Sequence, residues 1–457
     1  MLPTQSIPAA VTKPWLPPRQ QRYVLTDINI VDTVEGRIRP PCSVITSDGY
    51  IVSVSPEIYT ANFIGDDRGD TIFIDCTGKY LCPGLIDAHV HLTSVPGEPD
   101  LRSTMSVPGA VSLLRQPFWA RAMLERGFTT ARDCGGASLA LKEAIAEGVF
   151  PGPRLFIAGY GLSQTGGHGD RRRAHDLAGG GGCCGNSGDG AASLSMVADG
   201  VPAVLEAARE QLRQGADFIK LMVGGGVASP TDKLASVQYT LDEIHAAVQV
   251  AEAADTFATA HAYTPRAIQR AVNAGVKGIE HGNYLDKPTA RLMAAQGVYL
   301  TPTLVTYAAM ADPKYSKFLP VANREKNDMV LHAGLDSIKL AHEAGVTMCY
   351  GSDLLGLLGV EQLGEFGLRA KVLSSAEVLR HATVNPAKML GQEDRLGRVD
   401  SGFVADLLVL NANPLKDVTV LEKPGKHLLA VMKEGRVVCS RWSKLPVDAF
   451  PAQECIE

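Results

Sequence analysis

The chain has 457 residues, 45% hydrophobic and 20% charged, with a formal net charge of -5. That is an ordinary globular composition, too long for one small domain, and its mild acidity offers no basic surface for nucleic acid or an anionic membrane. The nine cysteines include no C-x-x-C pair, which argues against a zinc module or disulfide framework and for thiols in a reducing compartment.

Residues 1–22 are proline-rich and lack an apolar run, so they read as a loosely packed arm and not as a signal peptide. No apolar stretch reaches the ~20 residues of a membrane helix. Cys455-Ile456-Glu457 falls one residue short of a prenylation box. A cytoplasmic enzyme is expected. Residues 23–81 hold strand-like runs at Val24–Val31, Ser43–Thr46 and Tyr50–Val54, with Asp48-Gly49 as a hairpin turn between two of them. Residues 394–457 answer with Ala405–Leu410, Leu429–Met432 and, after Glu434-Gly435, Arg436–Cys439. The two ends therefore predict one small β-sandwich, with the middle of the chain inserted in it.

In residues 82–393 short apolar strands alternate with helical stretches such as Val201–Gln214, Leu241–Ala254 and Pro265–Ala274. The strand candidates are Cys82–His91, Thr129–Asp133, Arg154–Ala158, Phe218–Met222, Phe257–His261, Gly278–His281, Val298–Pro302 and Thr347–Asp353. The fold class is thus α/β, a (β/α)8 TIM-like barrel beside the sandwich; an open doubly wound sheet is the rival. A barrel takes ~250 residues and carries its active site at the C-terminal ends of the strands. The polar, glycine-rich loop from Leu162 to Asp199 would lie at that face. It contains Gly166-Gly167-His168-Gly169-Asp170, Arg171-Arg172-Arg173 and Cys183-Cys184. The arginine run is either an attractor for an acidic substrate or a solvated face.

The strand ends carry the chemistry. His89 and His91 stand two apart, so both imidazoles leave one face of a strand and can bind one ion. Lys220 sits among apolar residues, where an unpaired charge is costly. It is either paired with a carboxylate or carboxylated by CO2, which would turn it into an oxygen ligand. His261, His281 and Asp353 close later strands.

Leu81-Cys82-Pro83-Gly84-Leu85-Ile86-Asp87-Ala88-His89-Val90-His91 resembles the P-G-[LF]-[IV]-D-x-H-x-H signature of the amidohydrolase superfamily. The strand ending in Asp353, the segment His381–Ala387 and the tail Gly397–Leu407 are also similar, so the likeness runs from about Val24 to Val438. Leu162–Asp170, Ile219–Met222 and Glu280-His281 resemble the branch of ochratoxinase and the metal-dependent Xaa-Pro dipeptidases. The resemblance implies two divalent metal ions, zinc being expected. His89, His91 and Asp353 would hold one and His261 and His281 the other. Lys220, as N6-carboxylysine, and a hydroxide would bridge them. It implies hydrolysis of an amide bond in a dipeptide-like or N-acyl amino acid substrate, with Asp353 as proton shuttle. The partner is then a small molecule carrying a carboxylate, and a homo-oligomer is expected.

His168 and Tyr263 are candidate catalytic and substrate-binding residues; the alternatives are a hydrogen bond within the loop and packing under a helix. Asp87 and Glu280 flank the ligand candidates and can orient them. His245, His332, His342 and His427 read as structural or exposed, and His381 as a residue behind the site. The same ligands would also serve a cyclic amide, ester or lactone hydrolase or a decarboxylase, because specificity lies in loops. An inactive binding protein on this fold is the remaining alternative.

Overall fold

The computed structural model describes residues 12–17, 20–60, 71–176, 193–229 and 231–449. Residues 1–11, the Gly179–Gly185 run with Cys183-Cys184, and Cys455 lie outside the described residues.

The N-terminal strands are β1 (Arg22–Asp32), β2 (Arg37–Ser47), β3 (Tyr50–Ser55), β4 (Thr71–Asp75) and β5 (Tyr80–Pro83). Those of the middle are β6 (Leu85–Val90), β7 (Phe128–Asp133), β8 (Arg154–Ile157), β9 (Gly161–Ser163), β10 (Ser195–Val197), β11 (Ile219–Met222), β12 (Ala258–Ala262), β13 (Gly278–His281) and β14 (Tyr299–Thr301). The chain finishes on β15 (Leu407–Leu410), β16 (Leu428–Lys433) and β17 (Arg436–Ser440).

Both chain ends meet in one sheet of order β17-β16-β15-β5-β1-β2-β3, with β4 also on β1. The strands expected to form the sandwich are thus hydrogen-bonded along one path. The reason is β1: it pairs with β4 along Arg22–Thr26 and with β5 at Asn29 and Ile30. Its register against β2 shifts between those stretches, so one bulged strand serves both neighbours. The predicted turns form. Asp48 and Gly49 have φ of 51° and 89°, and Glu434 and Gly435 have 50° and 75°. Two consecutive left-handed residues give the twist that suits a two-residue hairpin. Tyr23, Leu25, Ile30, Ile51, Leu407 and Met432 bury their side chains in a separate apolar core beneath this sheet.

The predicted first strand, Cys82–His91, is two strands that divide at Gly84. β5 belongs to the terminal sheet, where it pairs with β15, while β6 pairs with β7. Gly84 N donates to Asp406 O at 2.7 Å, and a Cβ there would fall on the side chain of Thr129. The Thr129 side chain thus leaves room only for glycine at this junction.

The middle strands are parallel and lie in two sheets, β6-β7-β8 and β10-β9-β11-β12-β13-β14. Helices return the chain between them, started by capping side chains such as Thr240, Thr264 and Asp286. The strands β6, β7, β11, β12 and β13 are buried along their whole length, as a sheet covered on both faces requires. The expected eighth strand, Thr347–Asp353, is reduced to a bridge between Leu300 and Met348. Its ladder fails because Tyr350 N is spent on His381 O, at 2.6 Å. Single backbone bonds span the seam: Cys349 N to Leu300 O, Ala88 N to Tyr350 O and Asp353 N to His89 O, each at 2.8 Å. On the other side Asp217 N reaches Ile157 O at 2.7 Å. Among the described residues the strands therefore do not close into one continuous barrel ladder. No helix among them is long and apolar enough to cross a membrane.

Candidate functional site

Register brings the candidates together. Lys220 pairs with Thr259, and His261 with Glu280, across β11, β12 and β13. Paired neighbours share a face, so these side chains point the same way. His281 follows Glu280 and by alternation should point away. Its φ of 74° turns it back, and its ring lies 4.6 Å from that of His261 and 5.0 Å from that of His89. Asp353 also has a left-handed φ, 50°. Histidine and aspartate are among the residues that tolerate this region, and such strain gathers at functional sites.

Asp353 Oδ1 stands 3.4 Å from His89 Nε2 and 3.2 Å from His91 Nε2. These three donor atoms converge as a ligand set does. Asp353 Oδ2 is 4.0 Å from His281 Nδ1. Each imidazole has one nitrogen held by the protein. His89 Nδ1 meets Glu280 Oε2 at 2.7 Å, His91 Nδ1 meets Gly135 O at 2.8 Å, His261 Nε2 meets Gly225 O at 3.1 Å and His281 Nδ1 meets Thr303 Oγ1 at 2.7 Å. That leaves the other nitrogen of each ring for a ligand role, the usual arrangement of histidines around a metal. Burial, then the charge of Lys220, pulls His89 down to about 4. Burial, then neighbouring imidazoles, holds His261 and His281 well below the usual histidine range. Neutral imidazole is the form that binds a cation. Against burial, the His89 and His91 rings lower the Asp353 carboxyl.

Lys220 lies in the same strand register as His261 and His281. Its side chain is 1% exposed. Yet it makes no hydrogen bond or ion pair with any described residue; Glu280 and Asp353 feel its charge only through space and are bonded to other groups. Carboxylated, Lys220 would offer oxygens to cations among these imidazoles. The residues therefore fit a metal site, with His89, His91 and Asp353 as its converging donors.

The supporting residues sort themselves by contact. Glu280 accepts from Arg132 Nη2 at 2.6 and 2.7 Å, from His89 and from Thr259. Against burial, Arg132 keeps it well below the usual carboxylate range. Asp87 does not touch a ring. It holds His89 N and Ser352 N, both at 3.1 Å, and Gln362 Nε2 at 2.8 Å, fixing the backbone beside Asp353. Burial raises it to about 6. Arg132, Thr303 and Asp133 were not singled out in the sequence. Asp133 accepts from Leu92 N and Gly135 N and so aims Gly135 O at His91. Glu280→Gln would leave Arg132 buried without its charge partner, at a cost of about 3–5 kcal/mol. Denaturant unfolding is expected to show that loss, and an unchanged midpoint would contradict the pairing.

His168 stacks on His261, rings 4.1 Å apart at 20°. Its partner is Ser229 Oγ, from a different loop, at 3.0 Å. Tyr263 lies just beyond the end of β12, edge-on to His261 and His281, and its hydroxyl accepts from Tyr307 at 2.9 Å. Arg171 and Arg172 are engaged within their surroundings, by Met105 O and by Asp170. His381 ends the helix Ser375–His381 and contacts Arg369, away from the ligand set.

The sequence profile of the Amidohydrolase family matches residues 80–438. Ochratoxinase of Aspergillus niger is 30% identical over 365 residues, which is 78% of this chain and 75% of that protein. Among solved structures, an amidohydrolase at 44% identity superposes with a TM-score of 0.85 over 91% of this chain and 98% of its own. A prolidase complexed with N-methylphosphonate-L-proline is 40% identical, with a TM-score of 0.85 over 92% of this chain and 100% of its own. These likenesses imply a TIM-barrel domain accompanied by a second domain. Taken with the convergence of His89, His91 and Asp353, they place the chain in the amidohydrolase family, in the branch of ochratoxinase and the prolidases, as a hydrolase of carbon–nitrogen bonds.

Proposed function

We propose that the protein is a binuclear-metal hydrolase that cleaves the amide bond of a dipeptide-like or N-acyl amino acid substrate carrying a free carboxylate. The observation that carries this reading is Lys220, buried and unpartnered among the described residues, in the midst of the histidines. Carboxylation would join its neutral amine to CO2 and release one proton to water. His89, His91 and Asp353 would then hold one cation, His261 and His281 the other, and Lys220 both. The relatives support the substrate class, since one is a prolidase complexed with a phosphonate derivative of proline.

When bound, the cations would supply hydroxide near neutral pH and polarise the scissile carbonyl. Zinc suits a set of imidazoles and carboxylates. Asp353 takes the proton of the attacking water on its carboxylate and returns it to the departing nitrogen, which leaves poorly unless protonated. The φ and the His89 O bond of Asp353 fix that carboxylate over His89 and His91. His168 and Tyr263, on the His261 side, contact the substrate.

Dialysis against a chelator is expected to abolish hydrolysis of an Xaa-Pro dipeptide, and added zinc to restore it with two metal equivalents bound. Full turnover by metal-stripped protein would sink the proposal.

A further inference from the structure

His168 belongs to a closed circuit of hydrogen bonds. Its backbone N–H donates to Gln238 Oε1 at 2.8 Å, and Gln238 Nε2 donates to Asp232 Oδ2 at 2.9 Å. The other carboxylate oxygen of Asp232 accepts a short bond from the Ser229 hydroxyl. Ser229 Oγ lies 3.0 Å from His168 Nδ1, which completes the loop. Asp232 is also pinned from outside: it accepts from Gly226 N at 3.0 Å, and Lys326 Nζ donates to its backbone oxygen at 2.7 Å. Asp232 is buried, as is Ser229.

The circuit has a direction. Ser229 Oγ has one proton and two acceptors in reach, Asp232 Oδ1 and, at 3.3 Å, Gly226 O. Donating to either, it is left to accept from the ring. That makes Nδ1 of His168 the protonated nitrogen and leaves Nε2 as the edge without a partner among the described residues. The ring cannot swing to escape this. It stacks on His261, and it lies so close to Gly226 that a Cβ there would collide with the imidazole. We infer that Ser229, Asp232 and Gln238 are positioning residues that fix the tautomer and aim of His168, so that Nε2 meets the substrate. The inference rests on the reading above that His168 contacts substrate.

The test compares Ser229→Ala, Ser229→Thr, Asp232→Asn and His168→Asn with the wild type, all metal-loaded, on alanyl-proline. Ser229→Ala and Asp232→Asn are expected to lose about 10- to 100-fold in kcat/KM, the size usual when a partner that orients an imidazole is removed. Ser229→Thr keeps the hydroxyl and most of the activity. Ser229→Ala added to His168→Asn is expected to cost nothing more, because coupled residues are not additive. Nitrogen NMR of histidine-labelled protein, with His168→Asn giving the assignment, is expected to show a single Nδ1–H tautomer that Asp232→Asn and Ser229→Ala convert to a mixture. Wild-type activity in His168→Asn would remove the substrate contact, yet the tautomer measurement would still decide the circuit. A wild-type tautomer in both Asp232→Asn and Ser229→Ala, or losses that add to that of His168→Asn, would overturn it.

Discussion

Asp353→Asn is expected to lower kcat by about 10³-fold or more, within the range that a lost general acid–base spans, while the protein stays folded. The substitution keeps the shape of the side chain but removes the charge and the ability to shuttle a proton. Asparagine tolerates a left-handed backbone as aspartate does, so the φ of 50° at this position adds little strain to the variant. The backbone bond from residue 353 to His89 O also remains. The measurement pairs steady-state kinetics with circular dichroism and metal content. If an Asn variant turned over at nearly the wild-type rate, the proton shuttle would have to be sought elsewhere.

Lys220→Met separates a carboxylated ligand from a structural lysine. As a ligand, its loss is expected to empty at least one metal position and to reduce turnover to background. Labelled bicarbonate should give a carbamate carbon signal in the wild type and none in the variant. Without metal the effect on stability runs the other way. Methionine fills the same enclosed space without a charge, and enclosing a charge costs free energy. The metal-free variant is therefore expected to melt no lower than the metal-free wild type. A clear loss of stability in that comparison, with metal binding intact, would make Lys220 an ordinary packing residue.

How much of this was legible in the sequence follows from the range of the interactions. His89 and His91 announce themselves locally, because spacing two in a strand fixes a shared face. Lys220 was legible as a charge inside an apolar strand, and His261 and His281 as polar residues closing others. The turns Asp48-Gly49 and Glu434-Gly435 were legible for the same local reason. The structure differs from expectation where distant segments compete for one donor or one strand edge. Tyr350 N turns to His381 O and costs the eighth strand its ladder. β1 accepts both β4 and β5 and so links the strands of the sandwich along one path. Arg132 gave a faint signal, an arginine inside an apolar strand that needed a buried partner, but nothing local names Glu280 as that partner. Ser229 and Asp232 gave none, since their role depends on a loop that follows another strand.

The pairing of β5 with β15 has a consequence for how the polypeptide is made. Tyr80–Pro83 is made long before its mate Leu407–Leu410. Until that mate is made one edge of β5 is bare, and a bare edge is a template for the wrong neighbour. The long stretch in between must organise itself while that edge waits, and contacts so far apart in sequence form slowly. A nascent chain halted before Leu407 would carry every candidate ligand and still lack the strand that closes the sheet on β5.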